Sequence, residues 1–284
     1  MRFTRNQTTH AAILALLLSA AMTAHAQTEF RGTGGTSDAG GARDAFDNFL
    51  AAAGATPRRI TWEGTPIPLD APQSNQLPIN NNTTGINTNR FAGAGAFYDE
   101  TYAVSNDGFA SVNPTTGAGQ FPAFSGTKTF AAFAQPDQDE FTIEQRFVVP
   151  GTNIPAATRG FGAIFMDVEI ASLSSIEYFS GNTSLGTFFV DPAGDGGFSF
   201  LGVLFDQPIV TEVVLTLGNK TLFTFDGTNT TSTGGEDIPN GLDLVATDDF
   251  VFANPTAAPE PGAGALLLLG LITVAARFRR PMHR

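Results

Sequence analysis

Two carboxylates two residues apart, Asp167 and Glu169 in "GFGAIFMDVEI", come nearest in type and spacing to catalytic chemistry. On an extended strand they share one face about 7 Å apart, near the separation that an inverting glycosidase needs between its acid and its base. The plainer reading is the solvated end of a strand, and it is preferred, because nothing in the sequence marks a cleft or a raised carboxyl pKa beside them. A second set of acids, Glu63, Asp248 and Asp249, falls near the two ends of the β-rich region. Calcium takes six to eight oxygens, so a structural calcium ion tying the first and last strands together there is one expectation, and an exposed Asp-Asp turn is the other. Trp62 is the first candidate for a carbohydrate contact, against its reading as a half-buried core residue.

What the chain lacks limits the chemistry further. It has no cysteine, and its three histidines, His10, His25 and His283, all lie in the two terminal segments. The region between them therefore has no Ser-His-Asp triad, no Cys-His pair, no zinc site of the usual His/Cys kind and no disulfide framework. "GNKT" at Gly218–Thr221 ends like a phosphate-binding loop, but Val213 stands where its first glycine belongs and strands follow. "DPAGDGG" at Asp191–Gly197 resembles an EF-hand loop with Ala193 at a ligand position, and is read as a turn.

The terminal segments carry the clearest signals. Arg2 and Arg5, the apolar run Ala11–Ala21 and the small-x-small triplet Ala24-His25-Ala26 make a secretory signal peptide, to be cut by signal peptidase before Gln27. At the other end, Pro259-Glu260-Pro261 precedes an apolar stretch, Gly262–Ala276, and then Arg277, Arg279 and Arg280. About fifteen apolar residues hold a chain only briefly in a bilayer, and the arginines stay cytoplasmic. Taking away both ends leaves nine basic against 26 acidic residues, a net charge of −17. Such a surface repels phosphate backbones, so nucleic acid is not an expected partner.

The elements that must position the acids follow from periodicity. "RGTGGTSDAGG" (Arg31–Gly41) is a flexible Gly/Ser stretch within an expected flexible leader, residues 27–43. In "RDAFDNFLAAAG", Asp44 is the expected N-cap of a short helix with Phe46, Phe49 and Leu50 on one face and Gly54 as its stop. From Ile60 to Pro136 the sequence suggests short strands under long loops. Beyond it, "FTIEQRFVV" alternates with period two, and "GFGAIFMDVEI" begins apolar on both faces, as a central strand does. "SSIEYFSGNTSLGTFFV" reads as a hairpin across Ser180–Ser184; "FSFLGVLF", "IVTEVVLTL" and "LVATDDFVF" add three strands. The fold class expected is all-β: an antiparallel two-sheet, jelly-roll-like sandwich over residues 44–254 with one short N-terminal helix, preceded by a signal peptide (1–26) and followed by a sorting segment (255–284) whose transmembrane helix is 262–276.

The tail resembles the PEP-CTERM sorting signal through Pro259-Glu260-Pro261, the apolar run and the terminal arginines. The resemblance implies a substrate of an exosortase, an integral-membrane cysteine transpeptidase, in a bacterium that makes extracellular polysaccharide. The body, over about Arg159–Asn254, is similar in order and spacing to exported PEP-CTERM sandwich domains of no established activity. The expected function is a non-catalytic cell-surface or extracellular-matrix protein, a membrane-tethered precursor before processing, associated with exopolysaccharide. The alternative is a carbohydrate-binding or polysaccharide-active protein working through carboxylates alone.

Overall fold

In the strand Thr142–Phe147 the side chains of Ile143, Gln145 and Phe147 are buried and those between them are not, whereas Gly160–Met166 and Phe198–Phe205 are buried throughout. The first pattern belongs to a sheet covered on one side, the second to a sheet covered on both. Both sheets are present in the computed structural model, which describes residues 25–67, 76–117, 119–135 and 140–258. The expected signal peptide up to residue 24 and the sorting motif, Pro259 to Arg280, lie outside the described residues. Among the described residues no helix is long and apolar enough to cross a membrane.

The strands, in chain order, are β1 (Gln27–Gly34), β2 (Arg58–Ile60), β3 (Gln76–Pro78), β4 (Thr83–Ile86), β5 (Ala96–Tyr98), β6 (Tyr102–Ser105), β7 (Thr129–Ala131), β8 (Thr142–Phe147) and β9 (Ala156–Ala157). They continue with β10 (Gly160–Met166), β11 (Ser175–Ser180), β12 (Thr183–Phe189), β13 (Phe198–Phe205), β14 (Glu212–Thr216), β15 (Phe223–Phe225), β16 (Thr230–Ser232), β17 (Ala246–Phe252) and β18 (Thr256–Ala257). One α-helix, α1 (Gly40–Ala52), follows β1. The large sheet runs β1-β13-β10-β17-β7-β6-β4-β3, with β2 also on β17, and the smaller runs β12-β11-β14-β8-β5. Their ladders are antiparallel, so the all-β, sandwich-like expectation holds. The hairpin across Gly181 and Asn182 forms as read, with Ser180 opposite Thr183.

Alternation splits the core in two. Between the sheets lie Phe161, Phe165, Leu201, Val203 and Phe250 from the large sheet against Ile143, Ile176, Tyr178, Val213 and Leu215 from the small one. Ile164, Met166, Phe198, Phe200 and Leu204 point the other way and meet Phe46 and Phe49 of α1. The large sheet is thus the middle of three layers, which is why β10 and β13 carry apolar residues on both faces.

Two expectations need correction here. The stretch read as a flexible leader begins with β1, paired along its whole length with β13 from Gln27↔Phe205 to Gly34↔Phe198. Its glycines serve close approach rather than flexibility: a Cβ at Gly32 would lie 1.9 Å from the Gly41 carbonyl oxygen, and one at Gly34 2.0 Å from that of Ala39. Asp44 is not the N-cap, because α1 already starts at Gly40 after Ala39, which makes no side-chain cap. Gly54 follows the C-cap Ala53 with φ +114°, as a helix stop requires.

Phe200 joins these layers, its ring 5.7 Å from that of Phe46 and 5.8 Å from that of Phe49. Truncating such a side chain removes apolar burial and leaves a void. Phe200→Ala is expected to lower unfolding free energy by about 3–5 kcal/mol, measured by urea denaturation of the full-length chain.

Candidate functional site

The acids nearest to chemistry sit where β10 ends. Asp167 does not continue the strand: its φ is +69°, a left-handed conformation that Asp tolerates better than most residues. The chain turns there, so alternation stops and Asp167 goes inward. It is fully buried, and it accepts hydrogen bonds from the Gly196 N–H (2.6 Å, to Oδ1) and the Gln120 side-chain amide (2.6 Å, to Oδ2). The expected solvated strand end is therefore wrong for Asp167. The turn also brings Asp167 and Glu169 closer than a strand would: one carboxylate oxygen of each, with one from Glu236, lie within 4.8 Å of one another. Among the described residues this is the one group of three or more acids placed so closely.

Glu236 arrives from a tight turn. Asp237 and Leu242 pair across it through N–H···O=C bonds in both directions (2.9 and 3.0 Å), with Ile238–Asn240 in a single 3-10 turn and Gly241 left-handed. The flanking residues, Glu236 and Asp243, are thereby set side by side. Asp243 is fully buried, and its Oδ2 accepts the N–H groups of Glu169 (3.3 Å) and Ile170 (3.0 Å). Neighbouring residues hold this turn in place. The Asn219 amide donates to the Gly241 carbonyl and its oxygen accepts the Asp243 N–H, while Lys220 Nζ donates to the Gly235 carbonyl (2.7 Å). The "GNKT" segment is thus a clamp on the turn. The "DPAGDGG" segment is a second clamp: Ala193 and Gly194 donate to the Val168 carbonyl, and Gly197 accepts the Asp167 N–H.

The electrostatics follow from crowding like charges out of water. Burial raises the Asp167 carboxyl to about 6 against the opposing bonds from Gly196 and Gln120, and burial raises Asp243 to about 6 as well. Glu236 is pushed up to about 8, first by burial and then by the charges of Asp167 and Glu169. A surface cavity of about 450 Å³ reaches the group, lined by Gln120, Asp195, Gly196, Glu236 and threonines 36 and 115. A larger one of about 650 Å³ lies at the other sheet, between Phe97, Phe147, Asn182 and the Arg146–Glu212 ion pair.

The other expected sites come out differently. Glu63, Asp248 and Asp249 do converge, but on one loop, whose donors occupy them. Glu63 accepts the N–H groups of Thr127 and Lys128; Asp248 accepts those of Phe124 and Ser125; Asp249 accepts the Ser125 hydroxyl and pairs with Arg59. Asp248 and Asp249 are fully buried, so the exposed-turn reading fails, and the three acids do not form a close metal-ligating group. Trp62 is 1% exposed, with its ring stacked on Phe130 at 3.7 Å and edge-on to Phe91 and Phe250. Its faces are covered by the core, so it offers no platform to a sugar.

Sequence reasoning found Asp167 and Glu169 but not Glu236 and Asp243, about seventy residues later. The available signal was an acid beside glycine in Gly194-Asp195-Gly196 and Gly235-Glu236, and one residue removed from it in Gly241-Leu242-Asp243. Comparison of the chain with family models, curated proteins and solved structures found no match.

The raised carboxyls set a pH dependence. Unfolded Asp and Glu titrate near 4, so between about pH 4 and pH 8 the folded chain holds protons that the unfolded chain has lost. The stabilisation is complete below pH ~4 and is lost as pH rises through 6 and then 8; Glu100, raised to about 7 by burial and by Glu140, adds to the same window. With EDTA present, the Tm is expected to fall by about 3–6 °C between pH 5 and pH 8.5, and Glu236→Gln to flatten the part above pH 7. Calorimetric scans across that range provide the check.

Proposed function

We propose that this chain is an exported, non-catalytic β-sandwich displayed at the cell surface or in the extracellular matrix, sorted through a PEP-CTERM signal at Pro259-Glu260-Pro261. The observation that carries the reading is the position of the folded body between two processing points. Strand β1 starts at Gln27, the residue after the expected signal cleavage. At the other end β18 pairs with β9 up to Ala257, two residues before Pro259. Cleavage by signal peptidase and by an exosortase-type transpeptidase would therefore leave both sheets whole. The net charge of −17 between these points favours a soluble body that stays off anionic lipid and nucleic acid.

The jelly-roll-like reading belongs to the same proposal. It is supported by the chain's passages between sheets, from β7 to β8, from β10 to β11 and from β13 to β14. The alternative is a carbohydrate-binding or polysaccharide-active protein that uses the acids around Glu236. Glu236 does border a cavity and has the raised carboxyl of a general acid. Against it, Asp167 is sealed from solvent with both oxygens hydrogen-bonded, and no aromatic ring lines that cavity.

In the native host, deleting Pro259–Arg284 is expected to release the protein into the medium or leave it soluble in the periplasm. Glu260→Ala is expected to leave a longer, membrane-retained precursor. Intact-mass measurement of the cell-associated protein decides: a mature chain that still carries Arg277–Arg284 overturns the sorting reading. A glycan array and a reducing-sugar assay on the same protein separate display from the carbohydrate alternative.

A further inference from the structure

We propose that Asp167, Glu169 and Glu236 form a calcium site that ties the end of β10 to the turn carrying Glu236. The span of the group fits the ion. Oxygens on opposite sides of a calcium ion, bound at about 2.4 Å, sit about 4.8 Å apart, and the three ligand oxygens lie within 4.8 Å of one another. Magnesium binds at about 2.1 Å in a strict octahedron and usually keeps several waters with only one or two carboxylates, so three converging carboxylates suit calcium better. The donors are all hard carboxylate oxygens, with no nitrogen or sulfur among them, and this set selects calcium over zinc or copper.

A separate observation points to a missing cation. Asp243, outside that group of three, is fully buried, and its Oδ1 has no hydrogen-bond partner. It lies against the group, since its Oδ2 holds the Glu169 backbone N–H and its charge acts on Glu236. One further buried oxygen on each of Glu169 and Glu236, their Oε2 atoms, is also without a partner. A buried carboxylate oxygen left unpaired is costly, and here three are collected at one place. None of the ion pairs among the described residues involves these four acids. The basic side chain that holds the turn, Lys220, directs its Nζ to the Gly235 carbonyl. A divalent cation supplies the charge that the protein does not.

Entry is open. The cavity of about 450 Å³ reaches Glu236 from solvent past the exposed Asp195, and it leaves room for water to complete the coordination. This inference stands apart from the sorting proposal and fails or succeeds without it.

The test uses the full-length chain in a mild non-ionic detergent, stripped with EDTA and exchanged into metal-free buffer at pH 8. Titration with calcium chloride is expected to give about one equivalent bound by calorimetry and a Tm rise of several degrees, with magnesium chloride at the same concentration giving less. Glu236→Gln and Glu169→Gln should each weaken calcium binding at least tenfold, whereas Glu212→Gln at the larger cavity should leave it unchanged. The apo Tm of each variant shows that it folds; Glu236→Gln relieves repulsion and is expected to be no less stable than the parent at pH 8. No heat and no Tm change at 10 mM calcium would overturn the proposal. Binding that survives both variants would place the ion elsewhere and overturn it equally.

Discussion

A sheet that must be covered on both faces is the constraint on which this molecule depends. Strands β10 and β13 bury every residue they contain, so each face needs its own apolar layer. The second sheet covers one, and α1 with the loops above it covers the other. A fully buried Phe is worth roughly 2–3 kcal/mol, and the chain spends many of its 26 phenylalanines on these two interfaces. Aromatic rings this dense require gaps in the backbone surface to fit into. Gly202 provides one, since a Cβ there would lie 2.7 Å from the Phe49 ring.

The same constraint explains the acids at the end of β10. A strand buried on both faces cannot reach solvent by simple alternation, and its polar continuation must turn or be satisfied internally. Asp167 does both: it leaves the strand at positive φ and takes two hydrogen-bond donors from loops on either side. Those donors hold the carboxylate in place but bring no positive charge. The cluster of Asp167, Glu169, Glu236 and Asp243 is therefore electrostatically incomplete, in contrast to Asp249, which faces Arg59, and Asp248, which has three backbone N–H donors from Phe124, Ser125 and Asp249. Two sets of buried acids in one domain have thus been resolved differently. One has its oxygens hydrogen-bonded by its own chain, and the other leaves oxygens unpaired beside a solvent-accessible cavity.

Glycine-rich segments have three different roles here. In the first strand and at the start of α1 they allow backbone to meet backbone, in Asp191–Gly197 they turn the chain around Asp167, and at Gly241 a left-handed residue closes the turn that presents Glu236 and Asp243. Composition alone made the first look like a flexible linker and the second like a simple turn.

Period-two alternation in "FTIEQRFVV", apolar character on both faces of "GFGAIFM" and the Gly181-Asn182 turn are local properties, and they determined by themselves that the chain is antiparallel β with a doubly buried central strand. The targeting segments proposed at the two ends are read equally locally, from a charge cluster beside an apolar run. The pairing of β1 with β13, the burial of Trp62 and the meeting of Glu236 with Asp167 were decided only by the tertiary structure. Each joins residues from about 70 to more than 170 positions apart, and no sequence window contains both partners. Burial of a carboxylate in particular has no sequence signature, since an acid reads as solvated until the packing around it is known.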